Sequence, residues 1–136
     1  MLLLAACAAE GSLGEFPRDE VTVAGQAWQV AVADEAGERA QGLMGVTDLG
    51  SLRGMLFVFP EDTTSGFWMK GTPLALDIAF FAADGSLVDL LSMVPCPGED
   101  CPSYRAAGPY RYALEVPAGG FAGLVGLRLD PASLGG

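Results

Sequence analysis

A single lysine stands directly beside two large aromatic residues in the run Phe67-Trp68-Met69-Lys70, and it is the only lysine of the chain. A short distance downstream, Asp77 is the one charged residue of a long apolar run. A carboxylate in such a run needs a partner, because burial favours its neutral form. The pattern predicts an ion pair between Lys70 and Asp77, with Arg39 and the hydroxyl group of Ser92 as competing partners.

Two interpretations of this charge pair follow. In the first, the pair is a structural ion pair, which is the more common reason for a perturbed carboxylate in a folded domain. In the second, Lys70, Asp77 and Arg39 bind a polar ligand, such as a carbohydrate, against the rings of Trp68 and Phe67. Because adjacent aromatic residues usually belong to the core, we expect Trp68 to be buried. Exposure of Trp68 would favour the binding interpretation over a purely structural protein.

Other kinds of chemistry are restricted by composition. The chain has no histidine, which excludes a histidine-based catalytic triad and a histidine-ligated zinc site. A hydrolase with paired carboxylates stays open as an alternative, with Asp77 and either Glu115 or Asp89 as the pair. The net charge of −10 argues against nucleic acid as a partner. No cofactor and no metal are predicted.

The elements that must position these residues are mostly strands. With 136 residues, half of them hydrophobic, the chain is long enough for one domain with a real core. Period-2 and short apolar runs predict a compact α+β fold, mostly β, with an antiparallel or barrel-like sheet and one or two short helices. The predicted strands are 21–23, 27–33, 55–59, 67–70, 75–83, 86–94, 112–116 and 127–129, and the predicted helices lie after Asp34 and within 118–124.

The dipeptide Asp84-Gly85 between two apolar runs predicts a hairpin with a two-residue turn, which fixes the register of its strands. The predicted pairs are Leu76 with Met93, Asp77 with Ser92, Ile78 with Leu91, Ala79 with Leu90, Phe80 with Asp89 and Phe81 with Val88. Both faces of this hairpin are largely apolar, so we expect it to be central. In the later strand 112–116, alternation predicts Leu114 inward and Glu115 outward.

The N-terminus carries Leu4-Ala5-Ala6-Cys7, which resembles a bacterial lipobox, although only a few apolar residues precede Cys7. We therefore expect the true start to lie further upstream and residues 1–7 to be the end of a lipoprotein signal. Cys7 would carry the lipid that anchors the protein to a membrane outside the cytoplasm, in the periplasm or at the cell surface. Residues 8–20 then read as a flexible tether, 21–130 as the domain and 131–136 as a tail.

Cys96 and Cys101 are the two cysteines left once Cys7 is assigned to lipid. Secreted chains use cysteines in pairs, and a metal site needs more ligands than these two. We therefore predict a disulfide between Cys96 and Cys101.

Five motifs occur together and in order along the chain. They are Glu38-Arg39-Ala40-Gln41-Gly42-Leu43-Met44, Gly54-Met55-Leu56-Phe57-Val58-Phe59-Pro60, Phe67-Trp68-Met69-Lys70, Leu76-Asp77-Ile78-Ala79-Phe80 and Tyr112-Ala113-Leu114-Glu115-Val116. Over about residues 20–130 they resemble the family called domain of unknown function 192, or uncharacterised protein family 0127.

The resemblance implies a compact, mostly antiparallel β fold without an established activity. The chain departs from the family at Gly71 and at Pro117-Ala118-Gly119, where the family has asparagine. A ligand or turn role of those asparagines would be lost here or taken over by the backbone.

These observations favour a small extracytoplasmic binding or accessory domain, tethered to a membrane, rather than an enzyme. The alternatives are a carbohydrate-active or other hydrolase and a purely structural envelope protein.

Overall fold

The computed structural model describes residue 13 and residues 15–135. In this part of the chain the fold is mostly β, as the sequence predicts. The strands are β1 (Arg18–Val23), β2 (Gln26–Ala33), β3 (Gly54–Thr63), β4 (Leu76–Phe81), β5 (Leu87–Met93), β6 (Tyr110–Pro117) and β7 (Leu129–Asp130). The helices are α1 (Ala36–Gln41) and a short 3-10 turn, Pro131–Ser133.

All seven strands form one curled sheet in the order β5-β4-β6-β3-β2-β1-β7. The pair β2 and β3 is parallel, with α1 in the connection between them, and the other neighbours are antiparallel. The curl brings the turn between β4 and β5 onto β7, where the Leu129 amide donates to the Gly85 carbonyl at 3.0 Å. A Cβ on Gly85 would lie 1.9 Å from the Leu129 carbonyl oxygen, so this contact requires glycine.

Both faces of the sheet are covered, which produces two apolar layers. On one face, side chains such as Met55, Ile78 and Phe80 pack under the segment that follows α1, including Leu43. On the other face, Trp28, Leu114 and their neighbours pack with Phe121 and Leu129. We name these the α1 layer and the Trp28 layer. Because paired residues on adjacent strands point the same way, the register decides which layer each side chain enters.

The predicted hairpin register is confirmed for its first five pairs, from Leu76 with Met93 to Phe80 with Asp89. At the sixth pair the structure departs from the prediction, because the register shifts and Phe81 faces Leu87 rather than Val88. The shift arises at the turn, where the Ala82 amide donates to the Ser86 carbonyl at 2.8 Å and the Gly85 amide donates back to Ala82. The hairpin is less central than expected, since β5 is an edge strand.

Three other elements differ from the sequence prediction. The cap of α1 is Glu35 rather than Asp34, in a reciprocal capping box with Glu38. The run 67–70 is not a strand; Phe67 and Lys70 form isolated bridges to Tyr104 and Cys96. The predicted helix at 118–124 does not form, and residues 118–123 are consecutive turns instead. These short segments are therefore less regular than their sequence pattern predicts, because turns and isolated bridges determine their conformation.

In the described part of the chain, no helix has the length and apolar character needed to cross a membrane.

Candidate functional site

A cavity of about 250 Å³ opens on the α1 layer, between α1 with its following turn, the middle of β3, and the run 65–72. Aromatic and other apolar side chains form most of its wall, and two basic residues and one acidic residue complete it. The residues that line it are Arg39, Ala40, Gln41, Gly42, Leu43, Met44, Phe57, Phe59, Ser65, Gly66, Phe67, Trp68, Lys70, Thr72 and Glu115. Four of the five predicted ligand-binding residues are therefore here: Arg39, Phe67, Trp68 and Lys70.

Glu115 is the acidic residue of the cavity, and it is the most unusual group in the domain. It lies on the central strand β6, opposite Met55 of β3 and Ile78 of β4, both of which are fully buried. Only 4% of Glu115 is exposed, and its carboxyl group accepts no hydrogen bond from any residue that the structure describes. Burial raises the pKa of Glu115 from 4.5 to about 8, so the side chain is a neutral acid at pH 7.

The prediction that Glu115 points outward is wrong. Alternation along β6 is correct, because Leu114 and Val116 enter the Trp28 layer, but the opposite face is the α1 layer and not solvent. The strands β3 and β6 also approach each other closely, since a Cβ on Gly54 would lie 2.1 Å from the backbone carbonyl oxygen of Glu115. The signal was present in the sequence, since Glu115, like Asp77, is the one charge in a strand core that is apolar on both sides.

Arg39 lies on α1 at the rim of the cavity. One of its terminal nitrogens, Nη1, donates to the backbone carbonyls of Asp34 and Val58, at 2.8 and 3.0 Å. Its guanidinium carbon lies 5.0 Å from the ring centre of Phe59, within the range of a cation–π contact. These contacts fix the guanidinium group in place. Among the described residues, its other two nitrogens have no acceptor.

Lys70 lies at the same rim, 5.5 Å from the ring centre of Trp68. Its ammonium group is 3.4 Å from the carboxylate of Glu99, with side-chain exposures of 40% and 91% for the two partners. Trp68 is itself 49% exposed, so the expectation that it belongs to the core is wrong. Phe67 is the less exposed member of the aromatic pair; it is half-buried and packs edge-on against Phe57, with ring centres 5.0 Å apart.

The predicted ion pair between Lys70 and Asp77 is absent from the described residues. Asp77 enters the opposite side of the sheet, next to Val116, and its carboxylate accepts the backbone N–H of Gly119 at 2.9 Å. Neither Arg39 nor Ser92 replaces Lys70 as its partner. The apolar pattern of the strand did not indicate this arrangement. A carboxylate near a turn can accept a hydrogen bond from a backbone N–H and then needs no cation as a partner. Asp77 does not line the cavity.

The same placement removes the paired carboxylates proposed for a hydrolase. Glu115 faces the α1 layer and Asp77 faces the other side. Asp89 lies opposite Phe80, again on the face away from Asp77, and accepts the Ala107 N–H at 2.8 Å. Asp77 therefore shares a cleft with neither of them. Within the described residues, no group of three or more acidic or cysteine side chains is arranged to hold a metal ion.

The predicted disulfide between Cys96 and Cys101 is present, with a Cα–Cα distance of 5.8 Å. It closes the loop that carries Glu99, and Cys96 also forms the bridge to Lys70. The loop closed by the disulfide therefore borders the cavity rim, and the sequence did not indicate this proximity. Cys7, the predicted lipid attachment site, lies outside the described residues.

Comparison with known proteins agrees with this architecture. The family DUF192, described as "Uncharacterized ACR", matches residues 19–128. A solved structure from Sinorhizobium meliloti 1021, described as a candidate transcription regulator, is 32% identical, with a TM-score of 0.73, and the match covers 88% of this chain and 97% of that one.

A protein of unknown function from Novosphingobium aromaticivorans DSM 12444 is 29% identical, with a TM-score of 0.68 and coverage of 85% and 83%. No match is found among curated proteins. On the family match and the 32% identity, the chain belongs to the DUF192 family.

Proposed function

We propose that this domain is a small-molecule binding module whose ligand enters the cavity beside α1 and contacts Glu115. The observation that carries the proposal is the buried carboxyl group of Glu115, which lines an aromatic cavity and has no hydrogen-bond partner among the described residues. Because Glu115 lines the cavity, its carboxyl group is open to a hydrogen bond from a molecule that enters there. A ligand that donates to or accepts from this carboxyl group would provide the partner that the described residues do not.

The walls of the cavity support a ligand with an apolar body. Phe57, Phe67 and Leu43 provide the apolar surface, while Trp68 is available at the mouth to cover a flat molecule. Small-molecule sites in proteins commonly combine such a surface with a few polar groups that set orientation. The exposure of Trp68 also separates this proposal from a purely structural protein, in which that ring would be expected inside the core.

A role in transcription, suggested by the description of the Sinorhizobium relative, receives no support from the charge of this chain. A protein with a net charge of −10 is repelled by the phosphate backbone. Catalysis is also not part of the proposal, because a single neutral carboxylic acid without a second carboxylate in its cleft does not form the usual acid–base pair.

We further propose that the domain is held at a membrane outside the cytoplasm by lipid on Cys7. The lipobox-like run and the disulfide of Cys96 and Cys101 support this location, since disulfides persist in oxidising compartments. Stable anchoring would need more than one acyl chain on the cysteine. Mass spectrometry of protein isolated from membranes of the native host would detect the lipid, and an unmodified Cys7 would remove the proposal.

Binding is tested with a neutral aromatic probe, 1-naphthamide, followed by its fluorescence during titration. The rings fit the apolar wall, and the amide can both donate to and accept from Glu115. A variant that plugs the mouth, Ala40→Trp, should reduce the affinity at least about ten-fold, the effect of losing 1.4 kcal/mol of binding free energy.

The matched control is Ala122→Trp, at an exposed residue outside the cavity, and it should leave the affinity unchanged. Absence of binding to the wild-type protein, or equal binding by both variants, would remove the proposed site.

A further inference from the structure

The rim of the cavity carries positive charge in an otherwise acidic protein. Arg39 and Lys70 are two of only seven basic residues, against 17 acidic ones, and both line the cavity. Among the residues that the structure describes, the only acidic one in the lining is Glu115, which is buried at its wall. Burial favours the neutral form of Glu115, so the charged side chains of the lining are the two cations. The carboxylates near them lie outside the lining: Glu99 is 3.4 Å from Lys70, and Glu61 and Asp62 line the adjoining cleft that Arg39 also borders.

Arg39 and Lys70 differ in the contacts that they already make and therefore in how they could bind an anion. Arg39 is held rigidly by two backbone carbonyls and by the ring of Phe59, yet two of its nitrogens remain without an acceptor among the described residues. A fixed guanidinium group with unused donors is suited to bind a carboxylate or another planar anion. Its existing contacts mean that little conformational freedom would be lost on binding.

Lys70, in contrast, already has an anionic partner, but a weak one. Glu99 is 91% exposed, the separation of 3.4 Å is long for a charged hydrogen bond, and the pair is open to solvent. Glu99 stands on the disulfide-closed loop that borders the rim. Its carboxylate therefore occupies the place that an anionic ligand would take beside Lys70, and it can be displaced with a small loss of free energy.

We propose that the cavity selects small organic anions: an apolar body enters the aromatic chamber, and its anionic head group replaces Glu99 at Lys70 and bonds the free nitrogens of Arg39. The inference rests on the proposed function and adds the ligand's charge. An acceptor or donor at the inner end of the ligand would meet Glu115. Glu99 thus acts as an internal competitor that sets the affinity.

A matched series of probes tests the charge preference: 1-naphthoate, 1-naphthamide and 1-naphthylmethylammonium, titrated at pH 7 and low salt. The three share the same rings and differ in the head group, which we expect to meet Glu115 in naphthamide and to turn outward to Lys70 and Arg39 in naphthoate. Naphthoate should bind about ten-fold more tightly than naphthamide, the gain typical of charge-assisted hydrogen bonds over neutral ones. The ammonium probe should bind most weakly. Raising the salt concentration should reduce the preference for naphthoate.

Two variants then assign the preference to the rim. Lys70→Gln should remove about three-fold or more of the naphthoate affinity, whereas Glu99→Gln should increase it about two-fold, on the scale of exposed ion pairs. In both variants the affinity for naphthamide should change by less than the affinity for naphthoate. Both side chains are exposed enough that folding should not depend on them.

The outcomes separate the two proposals. If naphthamide binds as well as naphthoate and Ala40→Trp abolishes both, the cavity is a binding site but the anion preference is overturned. If the ammonium probe binds best, the preference is reversed and the inference fails. If no probe distinguishes Ala40→Trp from Ala122→Trp, the proposed function itself fails. A Glu99→Gln variant with weaker naphthoate binding would overturn the role of Glu99 as competitor.

Discussion

Glu115 and Asp77 are carboxylates on adjacent strands, one position apart in register, and they meet opposite environments. Asp77 pairs with Val116 and Ile78 pairs with Glu115, so the two side chains enter opposite faces of the sheet. Asp77 is half-buried and accepts a backbone N–H from the turn that follows β6. Glu115 is almost completely buried, and no described residue donates to it. A difference of one position in the register therefore gives the two carboxylates different environments. Asp77 has a backbone hydrogen-bond donor, whereas Glu115 needs either a proton or a ligand.

The largest expected effect is a pH dependence of stability between pH 4.5 and about 8 that is caused by Glu115. Its folded pKa of about 8 lies above its ordinary value of 4.5, so between these values the folded state holds a proton that the unfolded state has lost. The stability that this bound proton provides is fully present below pH 4.5 and is lost as the pH rises toward 8. At about 1.4 kcal/mol per pH unit, the shift corresponds to roughly 5 kcal/mol.

Urea denaturation across this pH range measures the effect. The Glu115→Gln variant should lose this fall in stability, whereas Asp77→Asn should retain it. An equal pH dependence in wild-type protein and Glu115→Gln would show that the two carboxylates do not differ as described.

The second effect concerns the loop that borders the cavity rim. Replacing Cys96 and Cys101 by serine should lower the free energy of unfolding by about 2 kcal/mol, because closing this short loop restricts the unfolded chain. The pH dependence due to Glu115 should persist in the double variant. Equal stability of oxidised wild-type protein and the serine variant would mean that the disulfide does not constrain the chain.

A smaller effect is expected for Asp77. Asp77→Ala removes the acceptor of the Gly119 N–H and should lower stability by about 1 kcal/mol. An effect of the size expected for stranding a buried cation is excluded by this geometry, because no cation of the described chain lies against Asp77. A loss of several kcal/mol, measured by thermal or urea denaturation, would mean that Asp77 has a partner that the backbone contact does not explain.

The smallest effect is a coupling energy. Double-mutant cycles with alanine should give no coupling between Lys70 and Asp77, and about 0.5 kcal/mol between Lys70 and Glu99. A coupling of Lys70 with Asp77 larger than that with Glu99 would contradict the separation of the two faces.

The sequence predicted the β-rich fold and most of the hairpin register, because Asp84-Gly85 constrains the pairing locally. It missed the shift at Phe81, which depends on the conformation of the turn and its contact with β7. The parallel pairing of β2 with β3 was also beyond reach, since no local pattern encodes which distant strand becomes a neighbour.

Prediction of the site was limited for the same reason. The residues Arg39, Phe67, Trp68 and Lys70 were identified as a group, and they do line one cavity. Asp77 was placed with them and Glu115 was left out, because alternation tells which side chains share a face but not what covers that face. The second layer of packing, over the α1 side of the sheet, is a tertiary property.

The most direct test of the central claim is a carbon-13 NMR titration of the Glu115 side-chain carboxyl group, assigned by comparison with Glu115→Gln. The midpoint should lie near 8 in the free protein, because burial in the cavity wall disfavours the charged form. It should change when 1-naphthamide is bound, since the ligand contacts this group. A midpoint near the ordinary value of 4.5, unaffected by the probe, would show that Glu115 is neither desolvated nor part of a binding site.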